Sequence, residues 1–299
     1  MKINKEIFFC ISNHNNKINN LLYLTKLSND YIIYDKTHSG GDLILDGKLI
    51  KVKKSNLDKK FPSKKIIKSN INGYNIYDYL CFIIDNYDHL PNRIAFLKGN
   101  VIERHITKKK FNENVVKEGF IELFFEEKKD KIKTEINSSS FKSFDNFLYE
   151  KNSSWFLHNK NLKTKYFNST KKFMDFCFDI KTFSLYLKFS PGACFICNKE
   201  HIISYPKIFY ENLRIFVSHS RLPGEAHLLE RLFPTILMNK FKISSNMKKK
   251  LSVKNLLLLE KEKQDSKGLI KWLKKNIYKA LSHFSGKIFY FSTKKLYDS

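Results

Sequence analysis

An α/β fold, with a mostly parallel sheet flanked by helices and a basic, mainly helical extension behind it, is what this sequence predicts. Three patterns lead there. Short apolar runs bounded by polar loops open the chain, they alternate with stretches whose apolar residues fall at helical spacing, and the final fifth turns lysine-rich. Strand–helix–strand alternation favours parallel pairing, because a helix is the usual way to carry the chain back to the same edge of the sheet. At 299 residues with 42% hydrophobic composition and 27 Phe, the chain can bury a substantial core. The predicted division is a domain over residues 1–240 and an extension over 241–299.

The first run, Ile7 to Ile11, is short and rich in β-formers, so it reads as a buried strand. Asn13-His14-Asn15-Asn16 makes a loop, Asn19 to Leu27 carries apolar residues at helix spacing, and Tyr31-Ile32-Ile33-Tyr34 forms a second strand ending at Asp35. The lysine-rich stretch from Lys48 to Lys68 reads as a solvated connection. In NGYNIYDYLCFIIDNYDHLP, Ile76, Leu80, Ile83, Ile84 and Tyr87 share one helical face, and Pro91 closes the segment. Ile94 to Leu97 is then a compact strand, with Lys98-Gly99-Asn100 as the turn at its carboxyl end.

From Ile106 to about Lys188 the sequence is polar and irregular, apart from an apolar patch at Phe120 to Phe125 and a loop, EKNSSWF, around Trp155. Trp155 sits among Asn152, Ser153 and Ser154, which suits either a stacking platform or a core residue flanked by loop. In LKFSPGACFICNKEHIISYP a Pro191-Gly192 turn leads into a further strand and a helix start. Pro223-Gly224 precedes a helix with Glu225, His227, Glu230 and Arg231 in its first two turns. Between Lys240 and Ser299, 16 lysines face four acids, and Leu269, Ile270, Leu273, Ile277, Ala280, Leu281 and Phe284 gather on one helical face with lysines outside it. Such a helix either lies on an anionic membrane surface or packs on its own domain with a solvated lysine face.

The formal charge of +26 comes from 55 Lys+Arg against 29 Asp+Glu, and only five of the cations are arginine. An excess of this size attracts polyanions, nucleic acid among them, but lysine, asparagine, isoleucine and phenylalanine are also what an A+T-rich coding sequence yields. The five scattered cysteines read as reduced core thiols; Cys194 and Cys197 form one CxxC with no second pair to complete a structural zinc site. The apolar run after Glu6 is too short for a signal-peptide core, and no segment approaches a membrane span. The compartment expected is the cytoplasm, with peripheral membrane contact through the basic helix left open.

In open α/β sheets ligands bind at the carboxyl ends of strands, where glycine lets backbone come close to a phosphate. Lys98, Gly99, Asn100, Arg104 and His105 therefore form either an anion-binding turn or a basic surface turn. The blocks NGYNIYDYLCFIIDNYDHLPNRIAFLKGNVIERH, NSSWF, FSPGACFICNKEHIISYPKIFYENL and GEAHLLER resemble, in series, a family of uncharacterised glycosyltransferase-like proteins classed as a domain of unknown function and associated with polysaccharide synthesis. The matching positions are Gly73, Tyr79-Leu80, Asn86-Tyr87-Asp88, Leu90-Pro91, Gly99, His105, Pro191-Gly192-Ala193, Tyr210 to Leu213 and Glu225, within a match that runs over about Ile7 to Leu237 and is dense only in those blocks.

The resemblance implies a nucleotide-sugar-binding sheet of the glycosyltransferase-A type, with a nucleotide-sugar donor and a glycan or other hydroxyl acceptor. In such folds the strand at Arg93 to Leu97 ends in an Asp-x-Asp that holds Mn or Mg against the donor diphosphate. Lys98-Gly99-Asn100 departs from that pattern, and a lysine or arginine would then supply the charge the leaving diphosphate needs. The implied donor site is Lys98, Gly99, Asn100, Arg104 and His105. Trp155, Pro191, Gly192, Ala193 and Arg221 would contact the substrate, with Glu225 as first and His227 as second candidate base. The five arginines, Arg93, Arg104, Arg214, Arg221 and Arg231, lie in the resembling blocks or, for Arg214 and Arg221, between the last two of them, as expected where guanidinium is hardest to replace by lysine. Two other classes stand beside this one: a metal-dependent hydrolase or nuclease using Glu103, His105, His219 and His227, and a non-catalytic protein binding polyanions or membranes.

Overall fold

A computed structural model describes residues 6–14, 17–28, 30–38, 40–45, 48–52, 54–124, 140–142, 148–151, 164–167, 169–180 and 186–264. The chain opens with β1 (Phe8–Asn13), α1 (Ile18–Leu27) and β2 (Tyr31–Asp35). A hairpin of β3 (Gly41–Leu45) and β4 (Lys48–Val52) follows, then β5 (Ile66–Lys68), α2 (Tyr74–Asp85) and β6 (Arg93–Lys98). Next come α3 (Val101–Arg104), α4 (Lys108–Val115), β7 (Ile121–Glu122), β8 (Ser140–Lys142), β9 (Leu148–Lys151) and α5 (Thr170–Cys177). The last third holds β10 (Tyr186–Lys188), β11 (Phe195–Asn198), α6 (Lys199–Ile203), α7 (Lys207–Val217), α8 (Gly224–Asn239) and α9 (Val253–Gln264).

The main sheet has six strands in the order β5-β2-β1-β6-β11-β7. The first four are parallel, whereas β11 runs antiparallel to β6 and β7 antiparallel to β11. The mixed α/β class and the mostly parallel sheet are as the sequence predicts. The stretch Lys48 to Lys68 is more than a solvated connection: it contains β4 and supplies the edge strand β5, where Ile66 and Ile67 pair with Ile33 and Tyr34. Likewise the polar region after Ile106 contains two helices, each capped by a side chain, Thr107 accepting from the Lys110 N–H and Ser169 from the Lys172 N–H.

Alternation along the central strands feeds two apolar layers. Phe9, Ile11, Ala95, Leu97 and Ile196 face one layer with Leu21, Leu24 and Phe111 from α1 and α4. Cys10, Ile94, Phe96, Phe195 and Cys197 face the other, with α2, α7 and α8 packed on them. Strands covered on both faces read as unbroken apolar runs, which is why these three stand out in the sequence. The second layer continues past residue 240: Ile243 bridges to Phe178, and Met247, Leu251 and Leu259 are buried in it. The remainder of the predicted extension, including the basic amphipathic stretch 269–284, lies outside the described residues, as does Trp155.

Beneath the carboxyl ends of β1 and β2 lies a buried ion pair, Lys36 Nζ to Asp78 Oδ1 at 3.0 Å, both side chains fully enclosed. Ser12 and Ser69 hydroxyls donate to the same carboxylate, and Lys36 also donates to the Asn72 carbonyl at 3.0 Å. A buried pair is stable only when its remaining hydrogen bonds are met in this way. The cluster ties α2 to the strand ends and fixes Ser12 at the rim of the sheet.

A cationic cleft at the strand ends

The strand order reverses between β1 and β6: the chain steps outward through β2 and β5, then returns to the other side of β1. Such a switch point opens a crevice at the carboxyl ends of the parallel strands. Because β11 is antiparallel, its amino end arrives at that same edge, bringing the Pro191–Ala193 turn beside Lys98. A cleft of about 250 Å³ opens there, lined from β1 by Ser12 and His14, from the β6 turn by Lys98, Asn100, Arg104 and His105, and from α8 by His227, Glu230 and Arg231. Tyr74, Phe189, Pro191 and Gly192 complete the wall.

Its local backbone is unusual. Among the described residues, Tyr74, Ala193 and Lys240 are the non-glycines with left-handed φ, at 54°, 51° and 47°. Tyr74 lines the cleft and Ala193 follows Gly192, itself at φ 74°. Conformations of this kind cost of order 1–3 kcal/mol for a side-chain-bearing residue and gather at ligand sites. A Cβ on Gly192 would stand 2.5 Å from His105 Nε2, so glycine is required both by conformation and by space. The Gly192 peptide is held at both ends, its N–H donating to Glu230 Oε1 at 2.7 Å and its carbonyl accepting from Asn75 Nδ2 at 2.9 Å.

Charges in the cleft are unequal: Lys98, Arg104 and Arg231 stand against Glu230. Burial alone would push the Glu230 carboxyl up, but the field of Lys98, the nearby His227 and the charge of Arg231 outweigh it and hold the group below the usual carboxylate range. His227 Nδ1 is 3.5 Å from Glu230 Oε2, and its ring meets Tyr74 edge-on at 5.1 Å. Burial, reinforced by Lys98 and Arg104 and opposed by Glu230, pushes the His105 imidazole down to about 3. The His14 imidazole is likewise well below its ordinary value, first through burial and then through Lys36 and Lys98. Both rings are therefore neutral, and the Nε2 atoms of both are buried without a hydrogen-bond partner among the described residues. Arg231 is 3% exposed; its guanidinium carbon lies over the Phe189 ring, 4.8 Å from the centroid, and the group donates to the His227 carbonyl at 3.2 Å.

The cleft gathers most of the sequence-derived donor residues. Lys98, Asn100, Arg104 and His105 line it, and Gly99 is buried just behind, its N–H donating to the Ser12 carbonyl at 2.9 Å. Of the substrate-contact residues, Pro191 and Gly192 line it, Ala193 is buried beside them, and Arg221 is exposed on the loop before α8, outside the lining. Of the two candidate bases, His227 is in the cleft and Glu225 is not. Glu225 is fully buried, Oε1 accepting the backbone N–H groups of Lys165 and Tyr166 at 2.6 Å and of Phe167 at 3.3 Å, and Oε2 lying 3.0 Å from His219 Nε2. Two arginines line the cleft and two serve the fold. Arg93 donates to the carbonyls of Val115, at 2.9 Å, and Lys117, and Arg214 lies 3.8 Å from the Cys81 sulfur.

Ser12, His14, Tyr74, Phe189, Glu230 and Arg231 were not assigned to a site by sequence reasoning. For α8 a signal existed: His227, Glu230 and Arg231 are spaced i, i+3, i+4 and share a face, whereas Glu225, two residues before His227, points away from it. The cleft offers Mn or Mg a poor donor set, one carboxylate already accepting the Gly192 N–H and three cations that would repel a further one. Among the described residues no group of three His, Cys, Asp or Glu is arranged to hold a metal ion, so His105, His219 and His227 do not come together as a ligand set. Glu103 lies on α3, with its side chain outside the description. Nor is any described helix long and apolar enough to cross a membrane.

Residues 55–250 match the profile of the family described as "Protein of unknown function (DUF3431)". This chain belongs to that family. The match takes in β5, the β6 turn and the whole of α8, so every wall of the cleft except the β1 end falls within the DUF3431 region. No curated protein and no solved structure matches the chain.

Proposed function

We propose that this DUF3431 protein is a glycosyltransferase of glycosyltransferase-A-like architecture, moving a sugar from a nucleotide-sugar donor to a hydroxyl acceptor, with protein cations in place of an Asp-x-Asp-bound metal. One observation carries the reading: a single cleft at the switch point of the sheet combines three cations, two neutral imidazoles and one ionised carboxylate. Lys98 and Arg104 are suited to a diphosphate, since charge-assisted hydrogen bonds to phosphate oxygens are the strong ones. His14 and His105, kept neutral, suit uncharged hydroxyls, as a sugar ring presents. Glu230, steadied by Gly192 and His227, is the proton acceptor. The acceptor oxygen bonds to the anomeric carbon as its proton passes to Glu230, and the bond from that carbon to the diphosphate oxygen breaks with its electron pair staying on the nucleotide, against Lys98 and Arg104.

Glu230 replaces Glu225 in that role because Glu225 is committed to three backbone N–H groups. A bound diphosphate would also screen Lys98, the largest of the influences that hold the Glu230 carboxyl down, and so move it upward toward a more useful basicity. Polysaccharide synthesis, a cytoplasmic location and peripheral membrane contact through the basic C-terminal stretch are the setting this reading suggests. Thermal unfolding with a panel of nucleotide sugars, in EDTA and again with manganese, tests it. A donor at 100 times its Kd should add about 2.7 kcal/mol of stability, in EDTA as in manganese. If no nucleotide sugar or nucleoside diphosphate shifts the melting point while short oligonucleotides do, the transferase reading falls and polyanion binding takes its place.

A further inference from the structure

Two serines donate to the buried Asp78 carboxylate, and one of them reaches the cleft. Burial pushes the Asp78 carboxyl up, but Lys36 at 3.0 Å and both hydroxyls pull it back, and the two charges are enclosed together as an ion pair. A carboxylate only accepts, so the hydroxyl hydrogens of Ser12 and Ser69 both point at it. Ser69 sits behind the strand ends, with Lys36 Nζ 3.5 Å from its oxygen. Ser12 lines the cleft instead, and no described residue donates to its oxygen. Toward the cleft, Ser12 is therefore an acceptor with no hydrogen to give. Just past the end of β1 is His14, its ring 6.0 Å from Tyr74 and its Nε2 buried without a hydrogen-bond partner among the described residues. Lys98 pairs in register with Ser12 on the neighbouring strand, one strand spacing of about 4.8 Å away.

We propose that Ser12 and His14 form a hydroxyl-reading subsite for a sugar ring joined directly to the phosphate that Lys98 holds. The inference deepens the transferase reading and rests on it for the phosphate at Lys98. Elimination among ligand groups selects the hydroxyl. Ser12 needs a donor, which a carboxylate or a fully ionised phosphate lacks, and an ammonium would be repelled by Lys98 and Lys36. A neutral imidazole donates or accepts at Nε2 according to its tautomer, and a hydroxyl answers either. Adjacent hydroxyls on one ring meet both needs, one giving its hydrogen to Ser12 and the other pairing with His14. The ring has two sources, a hexose 1-phosphate and a ribose 5-phosphate, and both carry such a pair on carbons 2 and 3.

Calorimetric titration of the full-length protein with glucose 1-phosphate, ribose 5-phosphate, the 2-deoxy and 3-deoxy forms of each, and inorganic phosphate tests this. One of the two sugar phosphates should bind at least tenfold more tightly than both of its deoxy forms, because a site built to bond a hydroxyl rejects the ligand that lacks it. Whichever does so identifies the ring. Ser12→Ala should abolish one of the two deoxy penalties and His14→Phe, which keeps a ring against Tyr74, the other. Ser69→Ala is the control: it strips a hydroxyl from Asp78 as Ser12→Ala does, so a structural role alone would move both alike, whereas the subsite predicts that Ser69→Ala keeps both penalties. The proposal is overturned if inorganic phosphate binds as tightly as either sugar phosphate, or if neither ring is distinguished from its deoxy forms. It is overturned equally if Ser12→Ala or His14→Phe keeps both penalties, or if Ser69→Ala loses the one that Ser12→Ala loses. A hydroxyl preference that depends on Ser12, in a protein that no nucleotide sugar stabilises, overturns the transferase reading and leaves the subsite standing. Stabilisation by a nucleotide sugar with no deoxy penalty in either ring does the opposite.

Discussion

Helix α8 carries two glutamates about a turn and a half apart, and they live in opposite circumstances. Glu225 is wholly enclosed, and its carboxylate is consumed by three backbone N–H groups from residues 165–167 and by His219. Glu230 gives one oxygen to the Gly192 N–H and has the other 3.5 Å from His227 Nδ1, at the wall of a cleft rich in cations. Acidic residues in a first helical turn are favoured by the macrodipole whatever their function, and Glu225 has that position. The difference teaches that a buried carboxylate becomes a site residue through what it leaves unused. Glu225 holds a segment of chain; Glu230 holds a turn from within the cleft.

The sharpest way to break the comparison is to remove the structural partner. Glu225→Ala leaves three buried N–H groups and His219 without their acceptor, which should cost about 3–5 kcal/mol, the scale for stripping one partner from a buried charged network. Urea unfolding should show the loss as a lower midpoint, and the protein should be recovered poorly. Glu225→Gln keeps one acceptor oxygen and should cost less. If Glu225→Ala were as stable as wild type while pyrophosphate binding disappeared, the roles of the two glutamates would have to be exchanged.

Gly192 comes next, because it links the Glu230 end of the helix to the turn. Gly192→Ala adds a Cβ at 2.5 Å from His105 Nε2 at a residue whose φ is 74°. A cost of about 1–3 kcal/mol is expected from conformation alone, with His105 displaced in addition. Pyrophosphate affinity should fall alongside stability, measured by calorimetry and thermal unfolding; a fall in stability with unchanged affinity would separate the turn from the cleft.

His105 gives the comparison a pH axis. Its folded-state value, pushed down to about 3, lies below the ordinary histidine value near 6.5. Between those limits the unfolded chain takes up a proton that the folded protein does not, so His105 makes stability fall as pH drops from about 6.5 to about 3. His105→Asn should flatten that part of the stability–pH curve. An unchanged slope in the variant would mean that the imidazole is charged in the fold and that the neutral-donor role is wrong.

How much of this was legible in the chain differs between sheet and site. β1, β2 and β6 announce themselves as apolar runs because both faces are covered, and the α2 face of Ile76, Leu80, Ile83 and Ile84 repeats at helical spacing. β5 is three residues long and lies at the end of the lysine-rich stretch, so its two isoleucines carry too little pattern to be seen. In α4 the lysines outnumber the apolar positions, and only Phe111 and Val115 reach the core. Within the site, the β6 turn and the Pro191-Gly192 turn were found because glycine at a strand end has a conformational meaning. Arg231 and Phe189 were not, since a guanidinium over an aromatic ring depends on two segments 42 residues apart meeting across the sheet edge. Glu230 carries no such signal of its own: it shares a helix with the Glu225 that the resemblance points to, and only its angular position, with His227 and Arg231, sets it on the cleft face.

Glu230→Gln is the mildest change to the fold and the most informative about the site. The amide is nearly isosteric and retains an oxygen for the Gly192 N–H, so the stability lost at pH 7 should be confined to the carboxylate's attraction to Lys98, His227 and Arg231 and be smaller than for Glu225→Ala. Sugar transfer from whichever donor stabilises the protein should drop about 10²- to 10⁴-fold, the usual worth of a positioned general base, with donor affinity little altered. The acid limb gives an independent reading. A carboxyl held below its ordinary range contributes stability that is present above the unfolded value near 4.3 and is lost as pH falls toward the folded one. Below about pH 4 the wild type should therefore lose stability more steeply than Glu230→Gln, as followed by urea midpoints at successive pH. Equal slopes would show that Lys98 and Arg231 do not act on this carboxylate, and equal transfer rates would leave His227 as the group that takes the proton.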